Sequence, residues 1–471
     1  MWPLKTILCF VLLWWGWLGA LVNPIWGVVT YLFVYQVNPT SRWWGEPIAT
    51  LGIRISLFAA LFTLIGMVVA RKQVPRHRPT WCAWEWGVLL LLGLGTANIL
   101  LGVKYDAWSA LVFDKFWKTM AFVLVLGRLA TTRRNLRLVL WSLVIGSLYL
   151  GHDAYNAPRW DFVEGRLNAG GGPDFRSASG LAAYMSAMLP LIGAMYLSAT
   201  QWKWRVLALL AGAFSVNTIV LCRTRAAFVG LLLGSLVAVV CAPRVGRFRI
   251  YFVTALAALC AYGLTDNLFW ARMSTLRDRQ TLTESDHATR TRVDIWKLST
   301  RILADHPLGI GVGNFPHVVG RYDPRYHLRA SHNTVVLCFV EMGVQGGTLM
   351  FLLIGGALVY LRKCQRLAPL TDQPLETAFL TYGLLVSLTT YFVTGLGTER
   401  LYCESYWWVM ALPLCLYRVV SREVQERSAN AAIPPQDETK ARRTGGHRHQ
   451  PTGEPDADEE SAADCPSYSY A

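Results

Sequence analysis

Charge is scarce in this sequence. Only 16% of its 471 residues are Asp, Glu, Lys or Arg, against roughly 25% in soluble globular proteins. An ordinary water-facing surface cannot be built from so few charges. Acid is scarcer than base: 30 Asp and Glu stand against 45 Lys and Arg, a net charge of +15. Metal-ligand spacing is missing too. The ten cysteines are scattered, mostly in apolar runs (Cys9, Cys222, Cys241, Cys260, Cys338), with no CxxC and no Cys/His ligand pattern. They read as small buried residues, so no disulfide framework, structural metal or cofactor is expected. No internal repeat is visible, which disfavours transporter folds built from repeats.

What the chain does have is apolar length. Hydrophobic residues make up 53% and mean hydropathy is +0.32. They gather in runs of about 18–25 residues, enough to cross a hydrocarbon core of roughly 30 Å at 1.5 Å per residue. The expected fold class is all-α integral membrane, with about twelve transmembrane helices. The candidate spans are 4–36 (broken at Asn23-Pro24), 48–70, 83–103, 114–131, 135–152, 179–198, 203–221, 225–242, 249–265, 333–361, 377–396 and 402–420. A tight hairpin within 4–36 would make thirteen. The N-terminal run shows no clean small-residue cleavage site and reads as an uncleaved first element. Trp14-Trp15, Trp43-Trp44 and Trp407-Trp408 suit interfacial belts.

The basic surplus falls at span ends. Arg71, Lys72, Arg76 and Arg78 form one group. Arg128, Arg133, Arg134 and Arg137 form another, followed by Lys203 and Arg205, by Arg244, Arg247 and Arg249, and by Arg362, Lys363 and Arg366. These groups recur after every other span, as the positive-inside rule requires of cytoplasmic loops. Membrane lipids, not nucleic acid, are the partners this charge implies. Residues 1–421 then form a membrane domain with both termini inside, and 422–471, polar and charged, a disordered cytoplasmic tail.

The remaining connections face outward, chiefly 153–178 and 266–332. In the latter, Ile295, Trp296, Leu298, Ile302 and Leu303 recur at helical spacing, the pattern of an amphipathic helix. His332 follows, where this loop re-enters the membrane. An imidazole there can act as a general base or simply sit at a helix start capped by Ser331 or Asn333. Arg223 and Arg225 occupy a tight outer turn against the positive-inside trend, suited to phosphate recognition or to snorkelling. Arg166 and Arg176 lie in the 153–178 loop, where Gly170-Gly171-Gly172-Pro173 marks a turn. Gly309–Phe315 is glycine-rich, but no strand precedes it and no Lys-Ser/Thr follows, so it reads as a backbone bend, not a nucleotide loop. Arg54, Lys118 and Glu341 are near-membrane charges, functional candidates or internal pairs. Topology thus gathers Arg166, Arg223, Arg225, Arg292 and His332 on the outer face. Arginines with one histidine suit a lipid-borne pyrophosphate, the guanidiniums holding the diphosphate and the imidazole taking a proton.

These residues also resemble a known group. His332-Asn333, nine residues, Gly343, two residues and Gly346 resembles the signature of O-antigen ligases and related polysaccharide polymerases. Arg225-Ala226-Ala227-Phe228 resembles the family's Arg-Gly-Ala-Trp stretch, with Ala226 in place of Gly. Arg292 with Trp296, then Pro307 and Gly309–Phe315, resembles the segment before the histidine. Asn23-Pro24-Ile25-Trp26-Gly27 and Asn38-Pro39 resemble the exosortase-associated O-glycosylation ligases. The resemblance implies a GT-C-like, inverting, metal-independent glycosyltransferase of the bacterial inner membrane, its active site facing the periplasm. It implies an undecaprenyl-pyrophosphate-linked glycan as donor and a hydroxyl of lipid A core, protein or glycan as acceptor. It makes His332 the base, Arg225 the chief diphosphate ligand and Arg166 a second, with Arg223 and Arg292 supporting. A polysaccharide polymerase shares this chemistry; a transporter or flippase is the alternative from another class.

Overall fold

A computed structural model describes residues 3–69, 79–103, 106–168, 171–274 and 287–431. Gly170, the basic group at 71–78 and the expected tail beyond 431 lie outside these. Met1–Gln425 forms one compact unit and Glu426–Ala471 a second. Helices dominate: α1 (Leu4–Val22), α2 (Ile25–Val37), α3 (Glu46–Thr50), α4 (Ile55–Val69), α5 (Ala83–Leu101), α6 (Ala107–Leu129), α7 (Arg133–Tyr155), α8 (Ala178–Ser198) and α9 (Trp202–Cys222). There follow α10 (Arg225–Val240), α11 (Arg247–Leu264), α12 (Asn267–Ser274), α13 (His287–Asp305), α14 (Phe315–Tyr322), α15 (Thr334–Leu367), α16 (Pro374–Gly395) and α17 (Glu404–Ala431). Between α7 and α8, β1 (Phe162–Val163) pairs antiparallel with β2 (Arg166–Leu167).

Among the described residues, seven helices are long and apolar enough to cross a membrane, and the bent pair 43–50 with 55–69 would make eight. With its helical content and these apolar runs, the chain is an all-α, multi-pass membrane protein. The other expected spans are helical too, but shorter or more charged. Helix α10 has 16 residues. Helices α6, α7 and α17 carry ionic side chains that hydropathy counts against them, yet most are paired inside the bundle. Lys115 meets Asp174, Arg128 and Arg418 meet Glu85, Arg133 meets Glu423 and Arg137 meets Glu376. Paired charge is tolerated in a membrane bundle where lone charge is not. The helix α17 runs on to Ala431, so the tail boundary expected at 422 falls inside it.

Asn23-Pro24 turns the chain back on itself. Gly16 of α1 lies against Thr30 of α2, and Gly19 lies against Trp26, an antiparallel pairing. Gly27 of α2 abuts Thr63, and Gly66 of α4 abuts the Ala20 carbonyl. Small residues let the three backbones approach closely where lipid supplies no hydrophobic drive. The expected aromatic belts are corrected in part. Trp15 is 71% and Trp43 74% exposed, but Trp44, Trp407 and Trp408 are buried, Trp407 donating to the Leu401 carbonyl at 2.7 Å. A pair of bulky rings reads the same in sequence at an interface or in a core. Of the cysteines in apolar runs, Cys9, Cys222 and Cys338 are buried, whereas Cys241 and Cys260 are exposed.

Helix α15 breaks at Gly343 (φ 73°, ψ −178°). A Cβ there would lie 2.5 Å from the Leu308 carbonyl carbon, so both the left-handed φ and the close approach require glycine. The glycine-rich Gly309–Phe315 stretch fills the break. Ile310 and Gly311 donate to the Val340 and Glu341 carbonyls, each at 3.0 Å. The buried Glu341 carboxylate accepts the backbone N–H groups of Gly313 and Phe315, both at 2.9 Å, and the Tyr402 hydroxyl. This stretch is a structural splice, and Glu341 is its clamp. Glu341→Ala leaves the two buried backbone donors, which cannot turn away as the Tyr402 hydroxyl can, without an acceptor, at about 1–3 kcal/mol each. Thermal unfolding of the detergent-solubilised variant is expected to show a loss of about 2–6 kcal/mol. A loss under about 1 kcal/mol would mean the loop finds other acceptors.

Candidate active site

The site begins with helix packing. Gly230 and Gly234 of α10 press against Thr394 and Thr390 of α16. This close crossing sets the N-terminus of α10 beside Gly397 and Thr398, just past the end of α16. A Cβ on Gly397 would come within 2.7 Å of the Ala226 methyl. The alanine that departs from the family pattern is therefore matched by a glycine opposite. Helix α13 packs beneath α15 through Ile295, Leu298 and Ile302, all buried, and so brings Arg292 up to the same place.

The result is one cavity of about 260 Å³, lined by Arg166, Arg225, Arg272, Arg292 and His332 together with small and hydroxyl residues of α8, α10 and the 397–398 turn. Four guanidiniums face it, and among the described residues no carboxylate lines it. The N-terminus of the 16-residue α10 also opens onto it through Thr224, Arg225 and Ala226, adding the positive end of a helix dipole. Arg225 Nε donates to the Arg272 carbonyl at 3.4 Å, and Arg166 Nε to the Cys222 carbonyl at 3.3 Å. Burial, reinforced by Arg292 and Arg225, pulls the Arg166 pKa down from its ordinary value although Cys222 and Glu164 oppose this. An anionic ligand would relieve that crowding of like charge.

His332 is held by its backbone. Its φ is 51°, a left-handed conformation uncommon outside glycine. Glu399 Oε1 accepts the N–H of His332 at 3.2 Å and that of Ser331. Trp296 Nε1 donates to the Ser331 carbonyl at 2.9 Å. Thr334 Oγ1 donates to the Thr398 carbonyl at 2.8 Å and accepts the Arg400 N–H at 2.9 Å. Asn333 caps α15, its Oδ1 accepting from Val335 and Val336 at 2.9 and 3.1 Å. The cap belongs to Asn333, and His332 lines the cavity. Burial, then Arg292, holds the His332 pKa below the ordinary imidazole value, with Glu399 opposing. The ring is accordingly neutral near pH 7.

Four of the five expected residues therefore meet in the cavity. Arg223 does not line it. Its backbone ends α9 in the left-handed region (φ 44°), and its guanidinium donates to the Gly165 carbonyl and pairs with Asp266. It ties the β1–β2 hairpin to the start of α12. Arg176 lines a separate cavity. Lys118 pairs with Asp114 at 2.5 Å, and Arg54 is exposed. Arg272 and Glu399 were not singled out from sequence. The first is one basic residue among many in a long loop; the second sits in a turn known only by its shortness.

The cavity and the Glu376 ion pairs lie at opposite ends of α16. Glu376, paired with Arg137, opens α16, and Gly397 and Thr398 follow its end. The 22 residues of this helix extend about 33 Å at 1.5 Å each, the thickness of a membrane core.

The helical membrane bundle thus carries a cationic, imidazole-bearing pocket at one end. The family described as O-Antigen ligase matches residues 210–351, which run from α9 through the kink of α15. That stretch holds Arg225, Arg272, Arg292, His332 and both signature glycines, and the match supports a membrane enzyme of the O-antigen ligase or polymerase type. Arg166, Glu399 and the helices before α9 lie outside the match. A search of curated proteins found no match.

Proposed function

We propose that the cavity transfers a glycan from undecaprenyl pyrophosphate to an acceptor hydroxyl, with inversion and without a metal. The observation that carries this reading is the convergence of four arginines and one histidine, with no lining carboxylate among the described residues, largely within the stretch that matches the O-Antigen ligase family. Arg225, Arg272, Arg292 and Arg166 hold the diphosphate. The acceptor oxygen attacks the anomeric carbon as the bond from that carbon to the phosphate oxygen breaks. His332 takes the hydroxyl proton, and the lipid diphosphate leaves with the bonding electrons, its new charge met by the guanidiniums. Base and leaving group on opposite faces of the sugar make this a single inverting displacement. Among the acceptors, lipid A core, a protein and another glycan share the chemistry, and a polymerase differs only in using a lipid-linked glycan as acceptor. Glycoconjugate mass spectrometry of a deletion strain tests the reading: acceptor glycan lost and lipid-linked precursor accumulated support it, and an unchanged profile refutes it.

The same reading puts the cavity on the periplasmic face of the bacterial inner membrane. The α1–α2 hairpin and the contact of Thr6 with the Trp44 carbonyl favour thirteen crossings, with α1 starting on the cavity side. Thiol labelling of introduced cysteines at 225 and 332 from outside the cell is the check, and labelling on opposite faces would end the proposal.

A base must be deprotonated, so kcat/KM falls as pH drops through the His332 pKa. With that pKa held down, the acid limb is expected below the ordinary imidazole value of about 6.5. Glu399→Gln keeps an acceptor for the backbone but removes the opposing charge, moving the limb to lower pH. Arg292→Ala moves it to higher pH. A limb that ignores both substitutions would show that His332 is not the titrating group.

A further inference from the structure

A second cavity, of about 430 Å³, lies between the 37–47 segment and the 153–178 loop, lined among others by Arg42, Asp153, Asn156, Asp161, Asn168 and Arg176. Its electrostatics differ in kind from those of the reaction cavity. Two guanidiniums and two carboxylates sum to no net charge. Arg42 is spent in a bidentate pair with Asp153, at 3.0 and 2.7 Å. A phosphate would gain little there. What remains is a fixed pattern of donors and acceptors. The Asp161 carboxylate and the Arg176 guanidinium have no hydrogen-bond or ion-pair partner among the described residues. Asn156 and Asn168 add amides. Carboxylate, guanidinium and amide together are the complement of a polyhydroxylated ring, whose hydroxyls each donate and accept.

The cavity is coupled to the reaction site by short stretches of chain. Asp161 and Asn168 stand at the base of the β1–β2 hairpin, Asn168 N–H donating to the Asp161 carbonyl at 2.9 Å. Arg166, two residues before Asn168, lines the reaction cavity, about 7 Å away along a strand. Asn168 Oδ1 also accepts the Ala178 N–H at 3.0 Å, and Ser179 next to it lines the reaction cavity. A ligand anchored by its diphosphate at the arginines and extended by sugars would reach this second pocket.

We propose that the second cavity is an uncharged-saccharide subsite, holding sugar units beyond the one whose anomeric carbon reacts. This rests on the glycan-transfer reading. The sugars belong either to the donor or to the acceptor, and the experiment separates the two.

Full-length protein in detergent is titrated with glycan released by mild acid from the lipid-linked precursor of the deletion strain, with and without saturating inorganic pyrophosphate. Glycan binding that persists with pyrophosphate bound is expected. The Asp161→Ala/Arg176→Ala double variant is expected to weaken it at least about tenfold, the effect of losing charge-assisted hydrogen bonds, while His332→Ala and Arg225→Ala bind it as the wild type does. Arg176→Gln, at an exposed and unpartnered position, repeats the test where folding is not in question. In the transfer assay the double variant raises KM more than it lowers kcat. A rise in donor KM assigns the sugars to the donor, and a rise in acceptor KM assigns them to the acceptor. If Arg176→Gln and the double variant leave glycan affinity and both KM values at wild-type levels, the subsite does not exist. Loss of glycan binding in these variants, alongside normal transfer by His332→Ala and Arg225→Ala, would keep the subsite and overturn the reaction assigned to the first cavity.

Discussion

Replacing His332 with asparagine is expected to lower glycan transfer by about 10²–10⁴-fold, the usual loss when a positioned general base is removed. Asparagine is the cleaner choice over alanine. The residue sits at φ 51°, where asparagine is among the few non-glycine residues that rest easily. Alanine would add backbone strain to the loss of the imidazole. The hydrogen bonds that shape this segment run from the 331–332 backbone to Glu399 and Trp296 and from the Thr334 hydroxyl to the Thr398 carbonyl, so they survive the substitution. The arginines are untouched, and donor affinity should change little. The measurement is single-turnover transfer in membranes, with thermal unfolding as the control. Transfer by His332→Asn within about tenfold of wild type, at the pH optimum, would sink the general-base assignment.

The cluster was legible because the positive-inside rule uses different residues from those it places. It assigns the basic groups at 128–137, 203–205 and 362–366 to one face, and Arg166, Arg225, Arg292 and His332 are then left together on the other. That argument gives a face of the membrane, not a pocket. It grouped Arg223 with the others, since two arginines flanking one threonine look equivalent in sequence. The structure separates them by helix phase. Arg223 ends α9 in a left-handed turn toward Asp266, and Arg225 begins α10 toward the cavity. Glu399 escaped notice because its work is done on two backbone N–H groups, which leave no trace in side-chain spacing. Arg272 escaped because α12 has 8 residues, too short for a periodic signal.

The fold was legible to a similar depth. Apolar runs gave the membrane class, and Asn23-Pro24 gave the break between α1 and α2. Hydropathy did not say whether the break bends a span or reverses it. That depends on Gly16, Gly19 and Gly27 meeting residues more than ten positions away or on another helix, a long-range match that composition does not carry. The kink at Gly343 is similar. Its glycine stands in the His332 signature, but its cause is the docking of Gly309–Phe315 and the clamp of Glu341. Paired charge explains the remaining gap: Lys115, Arg133 and Arg137 depress the hydropathy of helices whose partners lie more than fifty residues off.

Arg225→Ala is expected to cost transfer about 10²–10³-fold, the loss seen when one preorganised donor to a developing oxyanion is removed. The case that this is function and not folding comes from where the residue stands. It is the first residue of α10, the positive end of the helix dipole, where a cation is unfavourable by about 0.3–1 kcal/mol. It also crowds Arg166, whose pKa burial, with Arg292 and Arg225, pulls down against Cys222 and Glu164. Its Nε donates to the Arg272 carbonyl at 3.4 Å. Thermal unfolding is the control: transfer that collapses while the unfolding temperature shifts little places the loss in function and not in folding. Arg225→Lys keeps the charge but loses the planar fork that meets two phosphate oxygens at once, so it should recover only part of the loss. Inorganic pyrophosphate gives a readout independent of chemistry: its affinity should fall in Arg225→Ala and remain near wild type in Arg223→Ala, whose guanidinium is committed to Gly165 and Asp266. Equal effects at the two positions would mean that the turn as a whole, not the single guanidinium facing the cavity, binds the diphosphate.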